Sequence, residues 1–425
     1  MFKEHPKGLM VIFFTEMWER FGFYIMMAVF TLYMDEKLAM SDSQKGNIYG
    51  LFLATVYFMP IFGGWLADKL IGHINTLRLG AFIMVFGYTF LALSSRSRIV
   101  LFYLALVLIS TGTGLFKVNT SVLVGNLYPP TSKLKDVAYN IFYMGVNLGA
   151  FLAPIAATLI HNVFSSYNIS FGAAGVGMAI GIIVFETGKK TLRYADTGIL
   201  KNNPQPRNET LILDKEEEKQ RIISLGILFL IVIFFWTAFY QNGFALTLFA
   251  QRSTIKSTIL KPETYQVFDP FFILILTPVA VALFNYLRSK GREPSSAVKI
   301  FWGMLVSVFS MVIMVFACKA GGDLDRNIMS PMWLITTYFV VTVSELLISP
   351  IGLSFVSKVS PPKKRGLMMG FWFGATAVGS YASGLFGGFY STLQHHTFFM
   401  ILAIGLLIPA ILVLLFMKPL KRFSA

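Results

Sequence analysis

Glu16, Glu19 and Arg20 stand inside an apolar stretch near the start of the chain, with Tyr24 one turn further on. At 3.6 residues per turn the four share one face of a helix, and Glu16 followed by Arg20 is the favourable i,i+4 order for an ion pair. Lys117 is a second cation set in apolar sequence, in Gly114-Leu115-Phe116-Lys117-Val118-Asn119. Glu345 is a further acid near the centre of its own stretch, in Ser344-Glu345-Leu346-Leu347-Ile348-Ser349-Pro350. Charges in such surroundings are costly and are functional candidates by default. Two acids against two cations make either a structural salt-bridge network or a proton switch. In the switch, protonating a carboxylate releases the cation that kept it ionised and so favours another packing arrangement. Glu345 suits a substrate ammonium, a titrating proton or a structural pair. His5, His73, His161, His395 and His396 all fall at the ends of apolar stretches or in loops, so no histidine relay is expected. Neither metal-ligand spacing nor a nucleophile–base pair stands out, which argues against an enzyme.

The elements that would hold these side chains are long and apolar. Of 425 residues, 55% are hydrophobic and only 13% charged, against about 25% charged in soluble proteins. The composition cannot supply the polar surface of two or three soluble domains. The single cysteine, Cys318, excludes a disulfide scaffold or a Cys-based zinc site. A bilayer core needs ~20 apolar residues per helix. Twelve spans meet that criterion, at 8–34, 45–67, 76–94, 99–122, 138–160, 170–187, 222–246, 267–287, 297–318, 331–357, 366–390 and 396–417. Transmembrane β-strands would need only ~10 alternating residues each, and the first stretch is too long and too charged for a signal peptide.

With the N-terminus placed in the cytoplasm and the basic residues at span ends (Lys45, Arg78, Lys299) counted with the adjoining loops, 25 of the 36 Lys and Arg residues lie on the cytoplasmic side and 9 on the other, leaving Arg20 and Lys117 deeper within spans. This positive-inside asymmetry accounts for the basic balance of +15, so no nucleic-acid partner is expected. Residues 188–221 carry 14 charged residues among 34, together with Asn202, Asn203, Pro204 and Pro206. They read as a cytoplasmic linker with a short charged helix near Leu213–Arg221. The expected fold is therefore an all-α membrane protein of twelve transmembrane helices in two six-helix bundles, 1–187 and 222–425, joined by the linker 188–221. Six plus six helices with both termini cytoplasmic is the layout of the major facilitator fold, whose substrate site lies between the halves near the midplane.

Two sets of motifs carry resemblances. Gly63-Gly64-Trp65-Leu66-Ala67-Asp68-Lys69-Leu70-Ile71-Gly72 resembles the helix 2–3 signature of the major facilitator superfamily, and Asp68 is expected to accept hydrogen bonds from a neighbouring helix N-terminus. Glu16-Met17-Trp18-Glu19-Arg20-Phe21-Gly22-Phe23-Tyr24 resembles the ExxER motif of the proton-dependent oligopeptide transporter family. The likeness continues through Gly114–Ser121, Ile141–Ala150, Ser344–Lys358 and Met369–Trp372. It implies that Glu16, Glu19, Arg20, Lys117 and Glu345 serve proton coupling. It also implies that Asn147 and Glu345 meet a peptide's amino terminus, that the basic cluster with Lys117 meets its carboxylate, and that Tyr24, Tyr57 and Trp372 line side-chain pockets.

Departures from the family pattern are as informative. Where bacterial members often carry a glutamate on helix 7 and its arginine partner on helix 1, this chain has Tyr240 and Met27. Losing both members of a pair strands no charge, and an apolar Met27–Tyr240 contact is the expected substitute at the outer gate. Asp269 replaces the usual asparagine of helix 8; it either restores the acid missing from helix 7, as a further candidate for proton loading, or caps its own helix, and with Tyr240 it is counted among the candidate substrate-binding residues. Phe23 replaces a tyrosine, and Gly50 stands where animal members have a histidine. The expectation is a proton-coupled symporter of di- and tripeptides in the cell membrane, inner or plasma, working by alternating access. Protons are its coupling ion and it needs no cofactor; its partners are a small peptide, protons and the lipid bilayer, and a monomer is expected. The alternative keeps the fold and carries amino acids, modified peptides or another small organic anion. A receptor that binds peptide without flux, or an intramembrane enzyme, is the reading from another class.

Overall fold

A computed structural model describes residues 5–129, 132, 134–196, 214–361 and 364–422. In chain order the α-helices are α1 (Lys7–Glu36), α2 (Asp42–Phe58), α3 (Pro60–Leu66), α4 (His73–Leu93), α5 (Ile99–Asn126), α6 (Leu134–Phe164), α7 (Tyr167–Gly188), α8 (Lys215–Phe239), α9 (Ala245–Arg252), α10 (Phe268–Ser289), α11 (Ser296–Ala320), α12 (Pro331–Val359), α13 (Arg365–Gly387), α14 (His395–Leu415) and α15 (Met417–Arg422). Among the described residues, ten helical segments are long and apolar enough to cross a membrane by length and composition alone. α1 is 30 residues long and stays outside that set because Glu16, Glu19 and Arg20 interrupt its hydropathy.

Two expected spans change helix geometry along their length. The second consists of α2, α3 and a π-helical turn at Ala67–Ile71, with Pro60 at the first position of α3. Proline there lacks only an N–H that a helix start leaves unbonded anyway. The seventh is α8, a tight turn at Tyr240–Gly243 and α9. The charged segment expected as a separate short helix near Leu213–Arg221 is, from Lys215 on, the opening of α8 itself. The Glu217–Arg221 pair at 2.8 Å supports it at i,i+4 spacing, so the helix has no reason to stop before its apolar part begins. Leu213 and the linker positions Asn202, Asn203, Pro204 and Pro206 lie outside the described residues.

The chain divides into two compact units. Unit 1 comprises Met1–Met40 and Thr55–Gln205; unit 2 comprises Ser41–Ala54 and Pro206–Ala425. In unit 1, α1 packs on α6 and α7, and α4 on α5. In unit 2, α11 packs on α12 and α14, α8 on α13, and α10 on α12.

The stretch Ser41–Ala54 is held to unit 2 by a buried ionic cluster. Arg252 grips Asp42 with both terminal nitrogens, at 3.1 and 3.2 Å. Lys45, fully buried, lies 2.5 Å from the same carboxylate, and the Ser391 hydroxyl donates to it as well. Tyr49 adds a hydrogen bond to the Tyr240 carbonyl at 3.1 Å.

Candidate functional site

The acids and the arginine of α1 form one buried cluster in unit 1. Arg20 pairs with Glu19 through two parallel hydrogen bonds, Nε to Oε2 and Nη2 to Oε1, the latter at 2.6 Å. Glu16 stands further off, with Oε1 3.5 Å from Arg20 Nε. The neighbour in sequence thus outcompetes the i,i+4 partner, because it presents both carboxylate oxygens to the planar guanidinium fork. Glu16, Glu19 and Arg20 are all at most 3% exposed. The second oxygen of Glu16 has no hydrogen-bond partner among the described residues. An unbonded, buried carboxylate oxygen is costly unless another group or a proton reaches it.

Two features of packing bring other side chains to this face. A Cβ on Gly149 of α6 would come within 3.0 Å of Arg20 Cβ and 2.9 Å of the Phe21 amide nitrogen. Glycine there lets α6 lie against α1 at the level of the arginine, and Asn147 is buried on the same helix with its amide donating to the Tyr143 carbonyl at 2.9 Å. Lys117 of α5 makes no direct ion pair among the described residues; its ammonium sits 5.1 Å from the centre of the Tyr57 ring. Arg20 similarly lies 5.1 Å from the Phe23 ring, and Tyr24 packs edge-on against Phe23. Unit 1 therefore gathers Glu16, Glu19, Arg20, Tyr24, Tyr57, Lys117 and Asn147. Met27 is buried in it as well.

Unit 2 places the remaining candidates. Asp269 lies in the first turn of α10. The Thr342 hydroxyl of α12 is 2.9 Å from Asp269 Oδ1 and 2.8 Å from the Tyr338 carbonyl. Glu345 lies on α12 three residues beyond Thr342, within electrostatic reach of Asp269, and one of its oxygens is buried without a hydrogen-bond partner among the described residues. Tyr240 sits in the turn between α8 and α9, its ring stacked on Trp236 at 5.4 Å. Trp372 is buried with its ring against Gly352 of α12, so it packs α13 onto α12. Thr342 escaped the sequence reading although it shares a helix face with Glu345 at i,i+3 spacing; a threonine in an apolar helix carries no signal until its neighbour is known.

The helix 2–3 signature is arranged differently from expectation. The N-terminus of α4 is met by Asp196, which accepts from the His73 amide at 2.8 Å and the Ile74 amide at 3.3 Å. Asp68 instead is exposed and lies 3.6 Å from the His73 ring. Asp196 wins because Gly72, at φ 80°, turns the chain so that the free amides point at it. A Cβ on Gly72 would meet both Asp196 oxygens at 3.1 Å. His73 is buried, and its Nδ1 donates to the Asn119 side-chain oxygen at 2.7 Å, whose orientation is set by the Asn119 amide donating to the Leu115 carbonyl at 2.6 Å.

Comparison with known proteins agrees with this architecture. The family model described as "POT family" matches residues 74–214 and 207–401. The chain is 30% identical to the uncharacterized transporter YclF of Bacillus subtilis, covering 92% of this chain and 90% of that one. It is 28% identical to the peptide transporter YePEPT of Yersinia enterocolitica, covering 98% and 95%, and 29% identical to dipeptide and tripeptide permease A of Escherichia coli, covering 90% and 85%. A crystal structure of a mutant of the peptide transporter POT in complex with alafosfalin superposes with a TM-score of 0.90 at 28% identity, covering 100% of this chain and 97% of that one. The chain belongs to the POT family, and it is an integral membrane transporter rather than an enzyme.

Proposed function

We propose that the chain is a proton-coupled symporter of di- and tripeptides, with both termini in the cytoplasm of the cell membrane, functioning as a monomer in the bilayer and using protons as its coupling ion without a cofactor. In this reading the moving halves are the bundles 1–187 and 222–425, joined by the linker 188–221. The observation that carries it is the buried Glu16–Glu19–Arg20 cluster. A guanidinium that grips one carboxylate bidentately and stands 3.5 Å from a second has two stable partners. Protonation of one acid shifts the cation toward the other or toward an anion brought from outside. A peptide carboxylate is such an anion, and Lys117 beside Tyr57 is a second cation to receive it. Asn147 in unit 1 and Glu345 in unit 2 are the groups suited to an ammonium. The names of the relatives, which include peptide transporters and a dipeptide and tripeptide permease, support a peptide cargo. Each proton moving inward contributes about 2.3 kcal/mol per 100 mV of membrane potential.

Uptake into proteoliposomes under an imposed pH gradient tests the reading. Labelled di- and tripeptides should accumulate, with N-acetylated dipeptides and single amino acids competing poorly. Glu19→Gln should abolish gradient-driven accumulation while keeping part of the counterflow exchange. Undiminished accumulation by that variant would refute the role given to the cluster, and efficient competition by single amino acids would move the cargo to the alternative class.

A further inference from the structure

Thr342 has one hydroxyl hydrogen and two acceptors. Its oxygen is 2.8 Å from the Tyr338 carbonyl, the usual partner four residues back in a helix, and 2.9 Å from Asp269 Oδ1. An ionised Asp269 offers only acceptors. The Tyr338 carbonyl still accepts the Thr342 backbone N–H within α12, but the single hydroxyl hydrogen can lie in only one of the two contacts, and across the other two oxygens face each other at hydrogen-bond distance with nothing between them. A protonated Asp269 removes the conflict: its O–H donates to Thr342 Oγ1, and Thr342 donates onward to the Tyr338 carbonyl. One added proton completes a two-bond chain that one hydrogen cannot.

The surroundings supply no other remedy. The titratable groups on the elements packed against α10 near Asp269 are Tyr338 and Glu345 on α12, and Glu263 and Tyr265 on the turn Pro262–Val267; Tyr49 faces Tyr338. Among the described residues no cation pairs with Asp269, in contrast to the arginine of unit 1. Tyr338 cannot serve as donor, because its hydroxyl donates to the Asn242 carbonyl at 3.1 Å. Glu345, one turn further along α12, holds a buried oxygen with no hydrogen-bond partner among the described residues.

We infer that Asp269 is a proton-carrying carboxyl of the transport cycle, separate from Glu16 and Glu19, loaded as the donor to Thr342. No redox or covalent step is involved: a proton from solution joins the Asp269 carboxylate, and the same proton leaves. The inference rests on the proton-symport reading, and it adds to that reading a second proton in the other unit.

Two measurements test it. The first is the number of protons moved per peptide, from the reversal potential of uptake in proteoliposomes. The ratio for Asp269→Asn should fall by one relative to the unaltered protein; an unchanged ratio overturns the inference. The asparagine amide still donates to Thr342, so the hydrogen-bond chain survives and the variant isolates the proton. The second needs no flux and therefore separates failure of this inference from failure of the symport reading. The infrared difference spectrum of purified protein between neutral and acid pH should contain a protonated-carboxyl band that disappears in Asp269→Asn and shifts in Thr342→Val. A carboxyl spectrum identical in all three proteins overturns the inference, whether or not any peptide is transported.

Discussion

The α1 cluster of unit 1 and the Asp269–Glu345 region of unit 2 obey opposite rules. In unit 1 a guanidinium and two carboxylates are buried together, and the cation binds one acid tightly while remaining near the other. In unit 2, Asp269 accepts a contact from Thr342 of α12, the helix that carries Glu345, and no cation is paired to either acid among the described residues. Protonating an acid in the first setting frees a cation; protonating one in the second supplies a hydrogen that the site lacks. The first changes which groups attract one another across a distance, and the second completes a local hydrogen-bond chain. In the cycle proposed above, protons would act through electrostatics in one unit and through hydrogen-bond count in the other.

The largest test of that contrast is removal of the cation. Arg20→Ala leaves two buried carboxylates without a partner and should cost about 3–5 kcal/mol of stability, read as a fall in thermal unfolding temperature in detergent. Glu345→Gln replaces a carboxyl that no cation pairs with among the described residues and should change stability by less than about 1 kcal/mol, even as uptake falls. Equal losses of stability in the two variants would break the comparison.

Unit 2 does contain a tightly paired carboxylate, at the start of α2. Asp42→Asn leaves Lys45 and Arg252 facing each other without their shared anion and should destabilise by about 3 kcal/mol. Restoring the balance with Arg252→Gln in the same chain should recover part of the loss, because fewer unpaired charges remain. A double variant no more stable than the single one would show that packing rather than charge holds Ser41–Ala54 in place.

Smaller effects belong to the surface networks at the ends of the units. Gly72→Ala forces an L side chain into a positive φ and should cost about 1–2 kcal/mol, visible as a lower unfolding temperature. In unit 2, Arg288 and Lys299 flank Glu293 at 2.6 and 2.7 Å and hold its carboxyl down at about 2, below the ordinary 4.5. A depressed carboxyl stabilises the fold fully above its unfolded value and loses that contribution as pH falls through its folded value. Glu293→Gln should therefore lower the unfolding temperature slightly near neutral pH, with the difference vanishing as the pH is lowered toward 2. A difference that persists at the acid end would mean that packing rather than charge is responsible.

Much of this was legible in the chain alone. A helix in a membrane satisfies its own backbone, so length and apolarity suffice to locate it. Arg20 and Lys117 were conspicuous for the same reason: in apolar sequence a charge needs explaining. What escaped reading were choices among competing partners. Glu16 and Glu19 are both within reach of Arg20 by helical spacing, and side-chain geometry favours Glu19. Asp68 and Asp196 could each have met the start of α4, and the turn at Gly72 brings Asp196 there. The tight turn at Tyr240–Gly243 and the extension of α8 down to Lys215 likewise follow from contacts that spacing does not contain.

The sequence by itself determined the class of protein, the helices and the few ionisable groups set among them, because each of those follows from the cost of placing a residue type in hydrocarbon. Only the tertiary structure decided which acid holds the arginine, that Lys117 rests against Tyr57, and that Thr342 confronts Asp269 with one hydrogen too few. Partner choice depends on distances between residues far apart in the chain, and there a fraction of an ångström separates a satisfied hydrogen bond from an orphaned oxygen.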